Sequence, residues 1–263
     1  MTPIPAGSRY VAMGSSFAAG PGLPSRVPGS PRKAGRSTDN YAHLVARALS
    51  LDLHDVTFSG ATTGDILGPS AGGQPAQLDA VTPDTALVSI TAGGNDVGYL
   101  PRLTLASLPR PLRVLPGTRA RVSELGDPRG TDERFAGLER NLAAIASRLR
   151  ERAPACRVLF VDYLTILPPA GRDFDAPPPA EIAAWGRETA ARLAGVTQAA
   201  ASAGGCDYVA ASAASADHHA WSAVPWTRRF HLSLRGGAPY HPNASGMAAV
   251  AGLVIGALAE HRQ

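Results

Sequence analysis

The chain has 263 residues, of which 44% are hydrophobic, 28 are glycine and 23 are proline, and its formal net charge is +4. The length allows one or two domains, and the composition excludes a coiled coil, a collagen-like chain, a disulfide scaffold and a wholly disordered protein. Aromatic residues make up only 6%, and the basic residues do not form one stripe, so we expect no nucleic-acid partner.

Strand and helix patterns alternate along the chain. Short apolar runs that end at glycine or at turn residues predict five buried strands, at 9–13, 54–59, 85–91, 157–162 and 207–211. Helical periodicity and capping residues predict a helix that begins after an N-cap within 37–40 and ends at about 49, and helices at about 131–152, 181–203 and 243–261, the last capped by Asn243. This alternation predicts an α/β fold, a three-layer α/β/α sandwich around a five-stranded parallel sheet, as a single domain over 1–263.

Three segments interrupt the alternation: an excursion rich in proline and arginine at 98–130, and loops at 164–180 and 212–240. The excursion carries a local excess of arginine, which predicts either a solvated loop or a lid or patch for an anionic substrate. The arginines concerned are Arg102, Arg110, Arg113, Arg119 and Arg121.

Cysteine and histidine spacing does not predict a metal site, and we expect no metal or other cofactor. Cys156 and Cys206 lack ligand spacing, and each precedes a strand, so two buried free thiols are favoured over a disulfide. The run Asp217-His218-His219 offers ligand types, but consecutive residues rarely converge on one ion, and a loop near the active site is favoured.

No targeting or membrane-spanning pattern is visible. Residues 1–9 lack the basic and apolar regions of a signal peptide, and the longest apolar run, 248–259, is too short for a membrane span. We therefore expect no transmembrane segment and a cytoplasmic protein, or a secreted one if a signal peptide has been removed. The sequence does not indicate an oligomeric state.

Four short motifs fall at one predicted edge of the sheet, where open α/β sheets bind their ligands. Together they supply a hydroxyl, a base, an amide donor and bare glycines, which is the set that acyl transfer requires. The motifs are Gly14-Ser15-Ser16-Phe17, Ser59-Gly60-Ala61-Thr62, Gly93-Gly94-Asn95-Asp96 and His241-Pro242-Asn243.

These motifs, in this order, resemble the four blocks of the SGNH (GDSL-type) esterases and lipases. The run Val161-Asp162-Tyr163-Leu164 followed by Pro168 is similar to the segment after strand four in the actinobacterial members. The resemblance implies a flavodoxin-like SGNH hydrolase fold with Ser16 as the nucleophile and His241 as the general base. It also implies that the oxyanion is stabilised by the side chain of Asn95 and by the backbone N–H groups of Gly60 and Ser16.

Two positions depart from the family pattern. Ser15 replaces the usual aspartate, so the block offers two candidate nucleophiles, Ser15 and Ser16. Alignment to the family block, together with the following Phe17, favours Ser16. Ala238 stands where the family commonly has the aspartate that orients the histidine, so we expect a Ser16–His241 dyad with the Ala238 backbone carbonyl as acceptor. The alternative is that Asp217 folds back as a third member.

The resemblance predicts a serine esterase that hydrolyses a small-molecule, lipid or sugar ester through an acyl-serine intermediate. The alternatives are an acyltransferase or thioesterase that uses the same dyad, and a non-catalytic protein that binds an acyl group or ester. Trp221 and Trp226 are candidates for the walls of a substrate pocket, with core packing as the alternative. A separate Gly-x-Ser-x-Gly run around Ser70 does not follow a strand directly, so we interpret it as a chance match.

Overall fold

The computed structural model describes residues 4–172, 178–232 and 238–260 and is built around a parallel sheet. Its strands are β1 (Arg9–Gly14), β2 (Asp52–Asp55), β3 (Thr85–Thr91), β4 (Arg157–Val161) and β5 (Asp207–Val209). The order across the sheet is β2-β1-β3-β4-β5, and all neighbouring strands run parallel. This is the strand order of flavodoxin-like sheets, and the predicted five-stranded parallel sheet is confirmed.

Helices cover both faces of the sheet. The helices are α1 (Ser16–Ala19), α2 (Tyr41–Leu49), α3 (Thr63–Leu67), α4 (Tyr99–Ala106), α5 (Arg110–Arg113), α6 (Pro116–Leu125), α7 (Pro128–Arg152), α8 (Ala180–Ala203), α9 (Ala211–Ala214) and α10 (Ala244–Glu260). Helix α2 packs against α10, whereas α7 packs against α3 and α8, so the two groups form separate layers. The three-layer sandwich is therefore also confirmed.

Apolar periodicity explains why these elements form and pack. The predicted apolar face of α7, which includes Phe135, Leu142 and Leu149, is buried against the sheet layer, and β1 and β4 are buried along almost their whole length. Each large side chain removed from water contributes about 1.5–3 kcal/mol. The buried cluster extends from Tyr10 to Val254, which is consistent with one domain, although the single domain over 1–263 stays a prediction.

Three element boundaries differ from the sequence predictions. Strand β2 ends at Asp55, where its carboxylate accepts hydrogen bonds from the backbone and hydroxyl of Thr57 and turns the chain. The excursion at 98–130 is largely helical, because it contains α4, α5 and α6, and α7 begins at Pro128 behind the cap Asp127. Strand β5 ends at Val209, because α9 starts two residues later.

Cys156 and Cys206 are free thiols at the start of neighbouring strands. Burial raises the pKa of the Cys156 thiol to about 12 and also raises the pKa of Cys206, so both carry their proton at neutral pH. The favoured sequence interpretation, two free thiols, agrees with this arrangement.

Within the described ranges, no helix combines the length and the apolar character that crossing a bilayer requires.

Candidate active site

The loop after β1 places Ser16 at the carboxyl edge of the sheet. Gly14 has a φ of +130°, and a Cβ there would overlap the carbonyl oxygen of Thr91, so only glycine allows this close approach. The buried Gln77 side chain bonds both backbone groups of Gly14, with Oε1 2.7 Å from the nitrogen and Nε2 3.1 Å from the oxygen. Ser16 follows as the first residue of α1, where its backbone N–H has no intrahelical partner.

Ser16 and His241, which are far apart in the sequence, meet at this edge. The distance from Ser16 Oγ to His241 Nε2 is 2.7 Å, a hydrogen bond of good length. Ser15 points elsewhere, because its hydroxyl is fully buried and lies 3.2 Å from the hydroxyl of Tyr163. The geometry therefore pairs Ser16, and not Ser15, with the imidazole.

The acceptor at the other imidazole nitrogen differs from the one predicted. His241 Nδ1 lies 2.8 Å from the backbone carbonyl oxygen of Pro239, whereas the Ala238 carbonyl accepts the His241 backbone N–H at 3.4 Å. The prediction of Ala238 as the acceptor was wrong by one residue. The cause is Tyr240, whose left-handed conformation (φ 65°) turns the chain so that the Pro239 carbonyl faces the ring.

Asp217 does not occupy the position of a third member. It is exposed in a 3-10 turn (Ala216–His218), and no bond to His241 is found among the described residues. The carbonyl of Pro239 is the group that fixes the ring, and it favours the tautomer with the proton on Nδ1.

The surroundings of His241 keep its ring neutral. Burial lowers the pKa of His241 to about 4, the Pro239 carbonyl acts in the opposite direction, and the positive charge of Arg228 lowers the pKa further. Arg228 also joins two loops, because its guanidinium donates to the carbonyl of Gly22 at 3.1 Å while its backbone N–H donates to that of His241 at 3.0 Å. At neutral pH the ring can therefore accept a proton from Ser16.

Gly60 and Asn95 lie at the same edge of the sheet. Gly60 is exposed with a φ of +86°, and a Cβ there would meet no atom within 4 Å, so its backbone borders open space. The Asn95 amide nitrogen donates to the Ala61 carbonyl at 2.8 Å, which fixes the side chain and leaves its second amide hydrogen free to donate elsewhere. The Gly60 backbone N–H and the Asn95 side-chain amide are hydrogen-bond donors of the kind that stabilises an oxygen on which negative charge develops.

A buried carboxylate ties the Gly60 loop to the Asn95 loop. Asp96 accepts the Thr63 backbone N–H with both oxygens, at 3.0 and 3.1 Å, and also accepts the Thr63 hydroxyl. Asn141 on α7 donates to that hydroxyl at 2.9 Å. Burial raises the pKa of Asp96 even though the bonds from Thr63 favour its charged form.

Tyr163 links the Ser16 loop to the Asn95 loop. Its hydroxyl accepts the Gly94 backbone N–H at 2.9 Å and lies 3.2 Å from Ser15 Oγ, while its ring packs on Phe17 with centroids 4.7 Å apart. This role of Tyr163 was not predicted. A signal for it was present, since Tyr163 comes just after the fourth strand, at the edge of the sheet that carries the four motifs. No comparable signal marks Gln77.

A cavity of about 630 Å³ opens beside Gly60. Its walls combine apolar groups such as Phe58 and Ala80 with charged groups at Lys33 and Asp79. Trp221 and Trp226, predicted as pocket walls, do not line this cavity.

The two tryptophans pack against side chains of the 212–240 loop. Trp226 stacks on His218 with centroids 4.0 Å apart, and Trp221 lies under the guanidinium of Arg229. His218 Nδ1 also lies 2.8 Å from the Val224 carbonyl oxygen.

Over the described ranges, no group of three or more His, Cys, Asp or Glu side chains could hold a metal ion.

The fold and this geometry define a three-layer α/β protein with a serine–histidine pair at the carboxyl edge of its sheet. Residues 12–249 match the model of the GDSL-like lipase/acylhydrolase family, and the chain belongs to that family.

Individual relatives agree with this assignment. Lipase 2 of Streptomyces coelicolor is 35% identical over 165 residues, which cover 60% of this chain and 53% of that protein. The chain thus spans about half the length of the curated relatives it matches.

Two solved structures share the fold over nearly their whole length. The extracellular lipase of Streptomyces rimosus superposes with a TM-score of 0.77 at 26% identity, covering 95% of this chain and 99% of that one. Phospholipase A1 of Streptomyces albidoflavus NA297 has a TM-score of 0.75 at 25% identity, with the same coverage.

Proposed function

We propose that the protein is a serine hydrolase that cleaves carboxylic esters through an acyl-serine intermediate on Ser16. The observation that carries this proposal is the chain of contacts from Ser16 Oγ through both nitrogens of the His241 ring to the Pro239 carbonyl. A serine hydroxyl becomes a nucleophile at neutral pH only beside such a base. Family membership supports the same reaction type.

The reaction begins when Ser16 Oγ attacks the ester carbonyl carbon while His241 Nε2 takes the hydroxyl proton. The carbonyl oxygen becomes an oxyanion that accepts from the N–H groups of Gly60 and Ser16 and from the Asn95 amide. The bond to the alcohol oxygen then breaks, and the His241 imidazolium protonates the leaving alkoxide.

Deacylation repeats these steps with water. His241 removes a proton from a water molecule, the resulting hydroxide adds to the acyl carbon, and the second oxyanion accepts from the same donors. Collapse releases the carboxylic acid and returns the proton to Ser16. The Pro239 carbonyl keeps the proton on Nδ1 throughout, in the position that an aspartate takes in a triad.

The cavity beside Gly60 is the proposed site for one arm of the ester. Gly60 lines the cavity and donates to the oxyanion in this scheme, so the cavity adjoins the oxyanion position, although Ser16, Asn95 and His241 do not line it. Ala80→Phe, which narrows the cavity, is expected to lower kcat/KM for long acyl esters more than for acetate. A panel of acyl esters, sugar acetates and a thioester measures this preference.

Labelling with a fluorophosphonate tests the nucleophile. We expect wild type to form a covalent adduct and to cleave p-nitrophenyl acetate, and Ser16→Ala to do neither. Ser147→Ala, which alters an exposed serine on α7 away from the cavity, is the matched control and should label normally. An unlabelled wild type with no esterase activity would support the non-catalytic alternative.

A second variant tests the absence of an acidic third member. Asp217→Ala is expected to keep kcat within several-fold of wild type, because the imidazole is held by a main-chain carbonyl. A loss near 10⁴-fold, roughly the effect of replacing a triad aspartate, would make Asp217 the orienting residue.

The lipase of Streptomyces rimosus, which shares the fold, is extracellular. We propose the same location for this protein, and detection in the culture medium of its native host, together with its absence from the cell lysate, tests it.

A further inference from the structure

The arginine-rich excursion contains an exposed apolar segment whose role the proposed reaction does not explain. Residues 109–115, here the surface segment, run from Pro109 through α5 to the start of α6, and most of them are exposed. The exposed fractions of Leu112, Val114 and Leu115 are 45%, 51% and 51%, although such side chains are normally buried. Apolar side chains that are exposed singly are ordinary, whereas neighbouring ones rimmed by polar residues are typical of interaction surfaces.

Guanidinium groups flank these apolar side chains. Arg110 and Arg119 are exposed, and their guanidinium groups make no hydrogen bond or ion pair with any residue in the described ranges. The carboxylate of Glu124 pairs with Arg121 at 2.6 Å and so does not neutralise the other two arginines. The surface therefore combines apolar side chains with uncompensated positive charge.

Not every arginine of the excursion belongs to this surface. The guanidinium of Arg102 lies over the ring of Trp185, and its Nε donates to the Val122 carbonyl, so Arg102 joins α4 to α6. Arg113 is half-buried and donates to the Ala106 carbonyl. The free charge is thus at Arg110 and Arg119, on either side of the apolar side chains.

The base of the surface segment is attached to the active site. Ser107, two residues before the segment, bonds the hydroxyl of Tyr240 at 2.6 Å, and Tyr240 directly precedes His241. In the chain, the segment follows Asn95 by one helix, α4. Residues 109–115 are therefore linked, through Ser107 and Tyr240, to the residue that precedes His241.

We infer that residues 109–115, with Arg119, dock the protein onto an anionic lipid surface. Apolar side chains that enter the headgroup region, ringed by arginines that pair with lipid phosphates, form the arrangement by which peripheral proteins bind such membranes. Charge complementarity favours an anionic lipid over a second copy of this chain, which carries the same positive charge.

Vesicle co-sedimentation in the Ser16→Ala background tests the inference without hydrolysis of the lipid. We expect binding to vesicles of phosphatidylcholine mixed with phosphatidylglycerol and much weaker binding to pure phosphatidylcholine. Arg110→Gln/Arg119→Gln should weaken partitioning about 30-fold, and Leu112→Ser/Val114→Ser/Leu115→Ser should weaken it about ten-fold or more. The matched controls, Val224→Ser and Arg32→Gln/Arg140→Gln, change exposed residues elsewhere and should bind normally.

Three results would overturn the inference. The first is equal binding to both kinds of vesicle, or to neither. The second is full binding by the apolar triple variant, which would leave only non-specific charge attraction. The third is a dimer in solution that this variant dissociates, because a second copy would then cover the surface.

The proposed enzymatic function is tested separately. With Ser16 restored, the surface variants should cleave p-nitrophenyl acetate with kcat/KM within about two-fold of wild type, because they contact neither Ser16 nor His241. Loss of vesicle binding with full esterase activity therefore separates docking from catalysis, and binding without activity would refute only the proposed function.

Discussion

The Ser16 loop and residues 109–115 are built in opposite ways. The loop is held by buried hydrogen bonds between Gln77 and Gly14 and between Tyr163 and Ser15, so its atoms have little freedom to move. The surface segment directs apolar and charged side chains outward and buries few of them. Donors held in a fixed geometry stabilise the charge that develops in a transition state. Exposed apolar side chains instead make contact with another surface.

The largest expected effect is on the fixed side of this comparison, at His241. His241→Ala should lower kcat/KM for a soluble ester by about 10⁴-fold or more, because Ser16 then has no base. His218→Ala, which removes an imidazole stacked on Trp226, is the matched control and should stay within about two-fold. Near-normal activity of His241→Ala in a steady-state assay would refute the dyad.

The next effect concerns the oxyanion. Asn95→Ala should lower kcat by about 10²–10³-fold with little change in KM, because the amide donates mainly in the transition state. Fluorophosphonate labelling should become slower but not disappear. An increase in KM alone would instead assign Asn95 to substrate binding.

Tyr163 tests whether fixing the loops matters for rate. Tyr163→Phe removes the acceptor for the Gly94 N–H, and we expect kcat to fall about ten-fold while KM changes little. Tyr10→Phe is the matched control, since it removes another buried tyrosine hydroxyl, bonded to Ser89, away from the site. Both variants should lose about 1 kcal/mol of stability, and an equal kcat in both would make Tyr163 purely structural.

The pH profile tests the surroundings of His241. Because its pKa is lowered to about 4 and only the neutral ring accepts a proton, kcat/KM should stay constant from neutral pH downward and fall only near pH 4. Arg228→Gln removes a positive charge that lowers this pKa, so the acid limb should move to higher pH. An acid limb near pH 6.5 in wild type would contradict the desolvated ring.

The smallest effect is expected on the exposed side of the comparison. Leu112→Ser/Val114→Ser/Leu115→Ser should change the free energy of unfolding by about 0.5 kcal/mol or less per residue, because these side chains gain little burial on folding. Denaturant unfolding measures this, with Leu142→Ala on the buried face of α7 as the contrast, expected to cost about 2–5 kcal/mol. A large loss in the triple variant would show that the segment supports the fold.

The sheet and the motif positions could be predicted because they depend on local patterns. The apolar run at 85–91 matches β3 (Thr85–Thr91), and Asn243 caps the last helix by accepting the Gly246 N–H at 2.9 Å. Connection rules make the strands parallel and bring the four motifs to one edge, whereas the flavodoxin-like fold was implied only by the family resemblance.

What escaped prediction depends on contacts between distant residues. The bond from Gln77 to Gly14 joins positions 63 residues apart, and no periodicity encodes it. The acceptor for His241 Nδ1 is the carbonyl of Pro239 instead of that of Ala238 because of the backbone angle of Tyr240. The residue type at position 240 does not reveal this angle. The helices within 98–130 were missed because proline and glycine dominate the local signal, although Pro116 and Pro128 stand at helix starts, where proline is tolerated.

The orientation of His241 by a main-chain carbonyl has a consequence for the genetic robustness of the site. An aspartate in that role is lost through a single codon change, whereas a carbonyl is present whichever amino acid occupies position 239. Substitution can disturb it only by moving the backbone, so the tolerance of the orienting group depends on Tyr240 and its bond to Ser107. Random mutagenesis should therefore find few inactivating changes at 239 and many at 240.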